Sequence, residues 1–383
     1  MIKNKNILVT STDVMMIQFL VPHVVHLVEL GANVDIACSK AEGYKKEDYE
    51  NKIKKLLPNT VNFFEIRTER NPINFSNIKG YKDLKNIINE KNYDFIWTNE
   101  PVMGVMTRLA ARWSRKNGCI VMYLAHGYHF FKGAPKKNWI YYPVEKIMSH
   151  FCDLITVINW EDYNFTKKHF KVPVYHIDGI GLSLGKYSNV NVNYDLKRHE
   201  LGVNKDDILI ISVGELQQRK NHMVILKAIA NIKDAHLKYI ICGRGELENE
   251  LLQMAKKLNI EDQFCLLGHR YDIPEILSVS DIFVHPSQRE GLGIAAIEAM
   301  AAGLPLITSN VQGIKDYVKN GKNGFSYEPN DVDGYTDGLK KLINDKVLRK
   351  EMGKFNQECA RRYRIENSID QLSKIIMDAI GKN

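Results

Sequence analysis

The sequence predicts an α/β protein with two doubly wound parallel-sheet domains. Its 383 residues exceed the size at which a single hydrophobic core stops growing, so two domains of ordinary size are expected. Short β-rich apolar segments alternate with helical segments in both halves, which is typical of parallel sheets with crossover helices. The alternation is interrupted by the glycine-rich segment 178–185. We therefore predict a first domain over residues 1–185 and a second over residues 186–365.

The first domain is predicted from apolar runs and from the residues that end them. A β-rich strand over residues 7–10 precedes Asp13, a residue type that caps helices, and the helix after it is expected to end at Gly31. Further strands are predicted at 33–38, 61–66, 94–98, 119–124, 154–158 and 174–177, and further helices at 44–57, 81–90, 104–116 and 143–151.

The second domain repeats the pattern. Strands are predicted at 208–213, 237–242, 264–267, 281–286 and 305–309, and helices at 221–232, 246–258 and 273–279. The Ala-rich stretch after Gly293 is predicted to be a helix. Residues 331–380 are predicted to contain helices only, because their large apolar residues recur at helical spacing.

The composition is that of a soluble globular protein, with 44% hydrophobic and 26% charged residues. The six cysteines lack metal-binding or paired spacing, and neither a signal-peptide core nor a membrane span is recognisable, so a cytosolic protein is expected. Residues 1–185 contain 25 Lys and Arg against 18 Asp and Glu, and the remainder contains 28 against 27. This asymmetry favours an anionic partner for the first domain, unless the basic surface serves solubility alone.

The stretch Glu290-Gly-Leu-Gly-Ile-Ala-Ala-Ile-Glu298 carries the central chemical signal of the chain. It follows an apolar strand that ends at Pro286 and enters a helix at Gly293. Ligands bind at such places, because backbone N–H groups and the positive end of the helix dipole converge there. Carboxylates can accept hydrogen bonds from sugar hydroxyls, so we predict the donor end of a sugar-transfer site. The alternative is a solvated Glu290 and a Glu298 in a surface ion pair.

Arg219 and Lys220 lie in a loop that starts at Gly214 and leads into the first helix of the second domain. Cations at a helix N-terminus are unfavourable unless an anion joins them. Arginine can hold phosphate oxygens with two N–H groups and lysine adds a point charge, so the pair is expected to stabilise a departing diphosphate without a metal. The alternative is that both residues are solvated.

His126 is the candidate residue of the first domain for contact with a reacting sugar, because it follows a strand and precedes a glycine. A lone histidine is more often structural, and a metal pair with His129 lacks a supporting carboxylate or cysteine, so no metal site is predicted. The segment Asp331-Val-Asp333 is explained better by helix capping than by metal binding. The segment Gly243-Arg244-Gly245 lacks the third glycine of a dinucleotide-binding loop.

Two basic aromatic stretches of the first domain suit an anionic membrane surface. One has Arg108, Arg112, Arg115 and Lys116 around Trp113, and the other has Lys132, Lys136 and Lys137 ahead of Trp139, Tyr141 and Tyr142. The alternative is an ordinary amphipathic helix with a solvated face.

These motifs resemble those of glycosyltransferase family 4, retaining enzymes with the GT-B fold, over nearly the whole chain. Glu290 to Glu298 looks like the family's E-x7-E motif, Arg219-Lys220 like its diphosphate-binding pair, and Gly243 to Glu246 like its glycine turn. Segment 126–135 is similar to that of bacterial capsule and exopolysaccharide transferases. The resemblance implies two Rossmann-like domains that face each other across a cleft, and a C-terminal helix, residues 366–383, that packs back on the first domain.

The resemblance also implies roles for individual residues. Glu298 would bind the ribose hydroxyls, Glu290 the donor sugar, and the backbone near Arg270 the base. The implied substrate-binding residues are Gly214, Gly243, Arg244, Arg270, Glu290, Gly291, Leu292, Gly293 and Glu298, and the implied catalytic residues are His126, Arg219, Lys220 and Glu290. No protein nucleophile is expected, since the leaving diphosphate is thought to help deprotonate the acceptor. Residues 11–16 depart from the family, because its glycine-rich loop is here free of glycine.

We therefore expect an enzyme that transfers a hexose or N-acetylhexosamine, with retention, from a nucleoside diphosphate sugar to a lipid-linked saccharide. A UDP-linked donor and an undecaprenyl diphosphate carrier are expected. The nucleotide sugar is a substrate, and no metal, other cofactor or nucleic-acid partner is expected. The expected location is cytoplasmic, peripheral at the inner face of the cell membrane. The alternatives are a nucleotide-sugar epimerase on the same fold, an NAD-dependent dehydrogenase and a nucleotide-sugar-binding protein without activity.

Overall fold

The structure is a computed structural model that describes residues 2–39 and 46–382. The chain divides into two compact units. The first unit is Met1–Gly181 together with Ile365–Asn383, and the second unit is Leu182–Arg364. Of the predicted helix 44–57, residues 44 and 45 lie outside the described residues.

The first unit is an α/β layer structure around one parallel sheet. Its strands are β1 Asn6–Asp13, β2 Asn33–Ser39, β3 Asn62–Glu65, β4 Phe95–Asn99, β5 Ile120–Ala125, β6 Leu154–Val157 and β7 Val174–His176. Within the described residues these strands form a seven-stranded sheet in the order β3-β2-β1-β4-β5-β6-β7, and every neighbouring pair is parallel. The helices between them are α1 Val14–Glu29, α2 Lys46–Leu56, α3 Ser76–Glu90, α4 Pro101–Ala110, α5 Arg112–Lys116, α6 Tyr141–Met148 and α7 Trp160–His169.

Local sequence explains where several of these helices begin and end. Asp13 caps α1 as predicted, because its carboxylate accepts the N–H groups of Met15 and Met16 at 2.9 and 3.2 Å. The predicted helix 104–116 starts earlier, at a proline that suits a first helical turn, and is divided at Ala111 into α4 and α5. Helix α7 was not predicted, because its largely polar sequence has little helical periodicity. Its start is nevertheless marked by the capping residue Asn159.

The second unit has the same architecture. Its strands are β8 Ile208–Val213, β9 Leu237–Cys242, β10 Phe264–Gly268, β11 Ile282–His285, β12 Leu306–Ser309 and β13 Gly324–Tyr327. They form a six-stranded sheet in the order β10-β9-β8-β11-β12-β13, again with parallel neighbours. The helices are α8 Gly185–Ser188, α9 Tyr194–Glu200, α10 His222–Ile232, α11 Glu248–Lys257, α12 Ile273–Ser278, α13 Ile294–Ala301, α14 Val332–Asn344 and α15 Lys346–Ala360. The short edge strand β13 and the helices α8 and α9 were not predicted.

The last helix, α16 Ile365–Gly381, belongs to the first unit and packs on α1. The Ser368 hydroxyl donates to the Gly179 carbonyl at 2.7 Å and lies 3.0 Å from Nε2 of His23. Gln371 accepts from the Asp178 N–H and donates to its carboxylate, each at 2.9 Å. The predicted fold class, with two parallel-sheet α/β units and a C-terminal helix that returns to the first, is confirmed.

Both sheets reverse their strand order beside their first strand. Strand β1 lies between β2 and β4, and β8 lies between β9 and β11. At such a reversal the two flanking connections leave toward opposite faces of the sheet, and ligands of open α/β sheets bind in the crevice outside the carboxyl ends of the strands. Ligand-binding residues are therefore expected at the carboxyl ends of β1 and β4 in one unit, and at those of β8 and β11 in the other.

Candidate functional site

The loops after β8 and β11 meet at the strand-order reversal of the second unit. The Gln288 N–H donates to the Arg219 carbonyl at 2.7 Å, and the Asn221 side chain donates to the Pro286 carbonyl at 3.2 Å. Asn221 itself has φ of +58°, a conformation that asparagine tolerates better than most residues. These contacts hold the two loops in register, so residues far apart in sequence face each other.

Lys220 and Glu290 form the closest ion pair of this region. The Lys220 Nζ lies 2.6 Å from Glu290 Oε2, and the two side chains are only 12% and 15% exposed. Arg219 lies further away, with Nη1 3.9 Å from the same oxygen, and it pairs with Glu215 at 2.7 Å. The structure therefore brings three of the predicted site residues together, and the cationic pair stands beside the first of the two motif carboxylates.

The Glu290 carboxylate is ionised in this setting. Burial alone would raise the pKa of Glu290, but the Lys220 ammonium and the hydrogen bond to His285 outweigh burial and hold this pKa well below its usual range. The polar contacts that the Glu290 side chain makes among the described residues go to Oε2. Oε1 is thus the oxygen placed to accept a hydrogen bond from a ligand hydroxyl.

His285 and Ser287 support Glu290 and were missed by the sequence analysis. His285 Nε2 lies 3.2 Å from Glu290 Oε2, and the Ser287 hydroxyl donates to the same oxygen at 3.3 Å. Burial lowers the pKa of His285, so the ring is neutral and its Nε2 donates to the carboxylate. His285 was assigned only to an apolar strand. Its position at the strand's carboxyl end, ahead of Pro286, was the available signal.

Gly293 lies at the start of α13 and is crowded on its open side. Its φ is +83°, and a Cβ there would lie 2.9 Å from the Tyr317 hydroxyl oxygen and 3.1 Å from Glu290 Cγ. Only glycine fits this conformation and this space without strain. Gly293 is the residue directly before α13, so this conformation and this space fix where the helix begins beside Glu290.

Tyr317 is a third residue that the sequence analysis missed. Its side chain is 3% exposed, and its hydroxyl has no hydrogen-bond partner among the described residues. Burial, together with the nearby Glu290 charge, raises the pKa of this hydroxyl well above its usual value, so it stays a neutral donor. Buried hydroxyls normally have a partner, which makes this group a candidate for ligand contact.

Glu298 lies on α13 and contacts Tyr187 of α8. The Tyr187 hydroxyl donates to Glu298 Oε1 at 2.5 Å. Burial raises the pKa of Glu298 above its usual value, and the bond from Tyr187 opposes that shift. The alternative of a surface ion pair for Glu298 does not match this contact. Tyr187 comes two residues after the glycine-rich segment 178–185, where no pattern marked it.

The glycine turn after β9 packs directly on the loop after β8. A Cβ on Gly243 would lie 1.8 Å from the Gly214 carbonyl oxygen, so no other residue fits there. The Leu216 N–H donates to the Arg244 carbonyl at 2.9 Å. This turn positions the loop of Arg219 and Lys220, while the Arg244 side chain itself is exposed.

Arg270 belongs to a separate network of charges. Its guanidinium donates to Asp272 at 2.6 and 2.8 Å and to Glu200 at 2.5 Å, and Lys197 also pairs with both carboxylates. These contacts hold the Arg270 guanidinium in ion pairs within the protein. The implied role of the backbone near Arg270 in binding the base stays a prediction.

In the first unit, His126 lies at the carboxyl end of β5 with Nε2 3.1 Å from the Asn99 side-chain oxygen. Burial lowers the pKa of His126 to about 4, so the imidazole is neutral at physiological pH. The glycine-free residues 11–16 include the end of β1, where the Glu100 carboxylate accepts from the Ser11 hydroxyl at 2.7 Å and from the Thr12 N–H at 2.8 Å. Glu100, the residue after β4, thus links the carboxyl ends of β1 and β4.

Two further predictions concern metals and membranes. In residues 2–39 and 46–382, no group of three or more His, Cys, Asp or Glu side chains is placed to hold a metal ion. Asp331 instead caps α14, accepting the Gly334 N–H at 2.9 Å. Over the same residues, no helix combines the length and the apolar character that crossing a bilayer requires.

Comparison with known proteins decides the family. Residues 8–159 match the model of the glycosyl transferase 4-like family, and residues 193–358 match that of glycosyl transferases group 1. The chain is 31% identical to the UDP-Gal:alpha-D-GlcNAc-diphosphoundecaprenol alpha-1,3-galactosyltransferase of Escherichia coli, over 79% of this chain and 82% of that one. This chain belongs to glycosyltransferase family 4. It is therefore a glycosyltransferase, and the dehydrogenase, epimerase and non-enzymatic alternatives are set aside.

Two further relatives of this family 4 chain are also named as glycosyltransferases. EpsD of Bacillus subtilis (strain 168) is 33% identical over 83% of this chain and 85% of its own length. The capsular polysaccharide biosynthesis glycosyltransferase CapM of Staphylococcus aureus is 26% identical over 91% of this chain and 89% of its own length. The fold matches that of Anabaena Alr3699/HepE in complex with UDP and glucose, with a TM-score of 0.80 and 18% identity over 98% of this chain and 100% of that one.

Proposed function

We propose that this glycosyltransferase moves a hexose or N-acetylhexosamine from a UDP-sugar to a lipid-linked saccharide, with retention, in the synthesis of a cell-surface polysaccharide. The observation that carries the proposal is the placement of Arg219 and Lys220 against Glu290 at the strand-order reversal of the second unit.

The cationic pair is proposed to bind the diphosphate of the donor. When the glycosidic bond breaks, negative charge grows on the leaving phosphate oxygen, and preorganised cations stabilise that charge most where water is largely excluded. The Lys220 side chain is 12% exposed and is already fixed by its contact with Glu290. It therefore needs little reorganisation when the charge develops.

The two motif carboxylates are proposed to hold the sugars on either side of the diphosphate. Glu290 keeps one oxygen on Lys220 and has the other available for a hydroxyl of the transferred sugar. Glu298 keeps one oxygen on Tyr187 and would accept from the ribose hydroxyls with the other. Ionised carboxylates accept hydrogen bonds but donate none, which suits vicinal hydroxyls.

Retention without a protein nucleophile agrees with the chemistry of these groups. A carboxylate whose pKa is held low by an ammonium is a weak nucleophile, which disfavours a covalent intermediate on Glu290. His126, with its neutral ring, is proposed to contact the sugar as a hydrogen-bonding group and not as a cation. The acceptor hydroxyl would lose its proton to the departing diphosphate on the same face of the sugar.

The donor and acceptor classes rest on the relatives. Anabaena HepE has been solved with UDP and glucose, and the Escherichia coli relative is named for transfer of galactose from UDP to a GlcNAc carried on undecaprenyl diphosphate. CapM is named for capsular polysaccharide biosynthesis. Since the acceptor would be carried on a lipid, the enzyme is proposed to work in the cytoplasm at the inner face of the membrane, without a metal or other cofactor.

The proposal is tested with the purified chain, a panel of sugar nucleotides and short-chain lipid diphosphate saccharides in detergent. Thermal shift identifies the donor, because a ligand that binds only the folded state raises the unfolding temperature by mass action. UDP release that requires the acceptor, and an unchanged anomeric configuration in the product by NMR, are the expected results. An inverted product would refute retention, and turnover of the donor without an acceptor would refute transfer to a saccharide.

A further inference from the structure

Helix α6 of the first unit exposes an aliphatic stripe and buries a carboxylate. It buries its only carboxylate, Glu145, which is 5% exposed. Its outer face carries Val144 and Ile147, which are 44% and 58% exposed, and Ile140 in the preceding turn is 69% exposed. The spacing of these three residues, four and then three positions, places them on one side of a helix. Soluble proteins normally show the opposite arrangement.

The buried carboxylate locks this orientation. Arg108 Nη2 donates to Glu145 Oε2 at 2.9 Å, and the Tyr123 hydroxyl donates to Oε1 at 3.2 Å. The Arg108 side chain is fully buried, which corrects its assignment to a basic surface. Rotating α6 to bury its aliphatic side chains would break this pair and leave a buried charge unpaired, which is strongly unfavourable. The apolar stripe is therefore held outward by an internal constraint.

Aromatic residues border the stripe, and their rings contact other rings of the first unit. Trp139 is 40% exposed, and its ring lies 6.1 Å from that of Phe130 and 6.2 Å from that of Phe165. Tyr141 is 38% exposed and contacts the His129 ring at 4.8 Å. Tryptophan and tyrosine with one buried and one exposed side are the residues enriched at membrane interfaces.

The charge around the stripe is positive. Lys136, Lys137 and Lys146 are exposed, and Glu145 is the single acidic residue in the sequence from residue 132 to residue 152. Outside that range, Glu161 accepts the Lys132 N–H at 3.2 Å, and Asp153 is bound by Arg115 at 2.8 Å. Beyond the end of α6, a cavity of about 540 Å³ is lined by residues that include Arg112, Trp113, Lys116 and His150. The face thus joins an apolar stripe to a cationic rim.

We propose that this face, made of residues 136–147 and called here the α6 face, inserts shallowly into an anionic lipid surface. The aliphatic stripe would enter the acyl boundary while the lysines contact headgroups. A second copy of the chain is disfavoured as the occupant, because two such faces would bring like charges together. The inference rests on the proposed function in one respect: the acceptor is carried on a lipid, and the α6 face begins ten residues after His126 in the chain.

Sedimentation of the full chain with vesicles tests the α6 face. Vesicles of phosphatidylcholine alone are compared with vesicles that also contain phosphatidylglycerol. One variant combines Ile140→Ser, Val144→Ser and Ile147→Ser, and a second combines Lys136→Gln, Lys137→Gln and Lys146→Gln. The matched control combines Leu252→Ser and Val347→Ser, which remove aliphatic side chains that are 47% and 66% exposed in the second unit.

The wild type and the control are expected to sediment with the anionic vesicles. The serine variant should lose on the order of 10- to 100-fold in partitioning, since each aliphatic side chain loses part of its transfer free energy. The glutamine variant should lose about fivefold per lysine, and only with anionic vesicles. Unchanged thermal unfolding and an unchanged shift with UDP show that the variants are folded.

Three results would overturn the inference. The wild type could fail to sediment, the serine variant could sediment as the control does, or the wild type could be a dimer in solution that the serine substitutions dissociate without vesicles. The last result would make the α6 face an interface between copies. Transfer to a short-chain acceptor in detergent needs no vesicle, so it reports on the proposed function separately.

Discussion

Replacing Lys220 by methionine removes the charge nearest to Glu290 while keeping most of the side-chain volume. In the structure, Lys220 Nζ lies 2.6 Å from Glu290 Oε2, and both side chains are largely buried. The substitution therefore tests two claims at once. One is that the cation stabilises the leaving diphosphate, and the other is that it keeps the Glu290 carboxylate ionised.

The expected loss of activity follows from the role assigned to the cation. Removing one preorganised group that stabilises transition-state charge typically lowers kcat by about 100- to 1,000-fold, or roughly 3–4 kcal/mol. The expected loss of stability is smaller. Removing one partner of a fully buried ion pair costs about 3–5 kcal/mol, but this pair is partly solvated and Glu290 keeps its bond from His285, so we expect roughly 1–3 kcal/mol.

The stability loss should depend on pH in a defined direction. The pKa of Glu290 is depressed in the folded state, so its stabilising contribution is present above the pKa of the unfolded chain and is lost as pH falls toward the folded-state value. Without Lys220 this depression largely disappears. The difference in unfolding free energy between wild type and Lys220→Met should therefore be largest near pH 7 and should shrink below about pH 4.

Urea unfolding at both pH values and steady-state transfer kinetics measure these effects. A double-mutant cycle with Glu290→Gln isolates the pair, and we expect a coupling energy of about 1–3 kcal/mol in stability. Wild-type kcat in the folded Lys220→Met variant would refute the role of the cation. A stability difference that does not change with pH would refute the account of the Glu290 charge.

Three further substitutions address single contacts. Tyr187→Phe removes the hydrogen bond to Glu298 and lets the pKa of Glu298 rise further, so donor affinity measured by calorimetry should fall about tenfold and should fall further in acid. Equal affinity of the variant and the wild type at every pH would contradict this role. Tyr317→Phe removes a hydroxyl without a partner among the described residues, so the unfolding free energy should change by less than about 0.5 kcal/mol while donor affinity drops roughly 2- to 10-fold. A large loss of stability would show that this hydroxyl is hydrogen-bonded within the protein. Gly293→Ala should destabilise the protein by about 1 kcal/mol more than the control Gly321→Ala, because both glycines have positive φ but only a Cβ at position 293 meets close neighbours. Equal unfolding temperatures of the two variants would contradict this crowding.

The cluster at the second unit was partly predictable. Lys220 and Glu290 are 70 positions apart, yet both follow apolar strands at the point where a helix is expected, and the carboxyl ends of parallel strands share one edge of a sheet. That argument places the two residues at the same edge of the sheet. It did not reveal that β8 and β11 are neighbours, because strand order depends on how the helices pack on both faces.

The residues that support the site were harder to find. His285 is embedded in a run of apolar strand residues, Tyr187 lies in the short helix α8, and Tyr317 lies between β12 and β13, so no periodicity marked them. Arg108 was misassigned for a related reason. It lies in a basic stretch, yet its guanidinium lies 4.1 Å above the Tyr123 ring and pairs with Glu145, 37 positions later. A sequence pattern indicates which face of a helix is polar on average, but it does not identify the residue that one side chain contacts.

Alternation of strands and helices, glycines in turns and two carboxylates eight positions apart were enough to predict the α/β class and the donor-site motif. These features depend on neighbours within a few residues, and local backbone geometry determines them. Which carboxylate meets Lys220, which tyrosine meets Glu298 and which side of α6 faces outward are decided by contacts between distant segments. Such contacts form only when the sheets assemble, so the tertiary structure alone determined them.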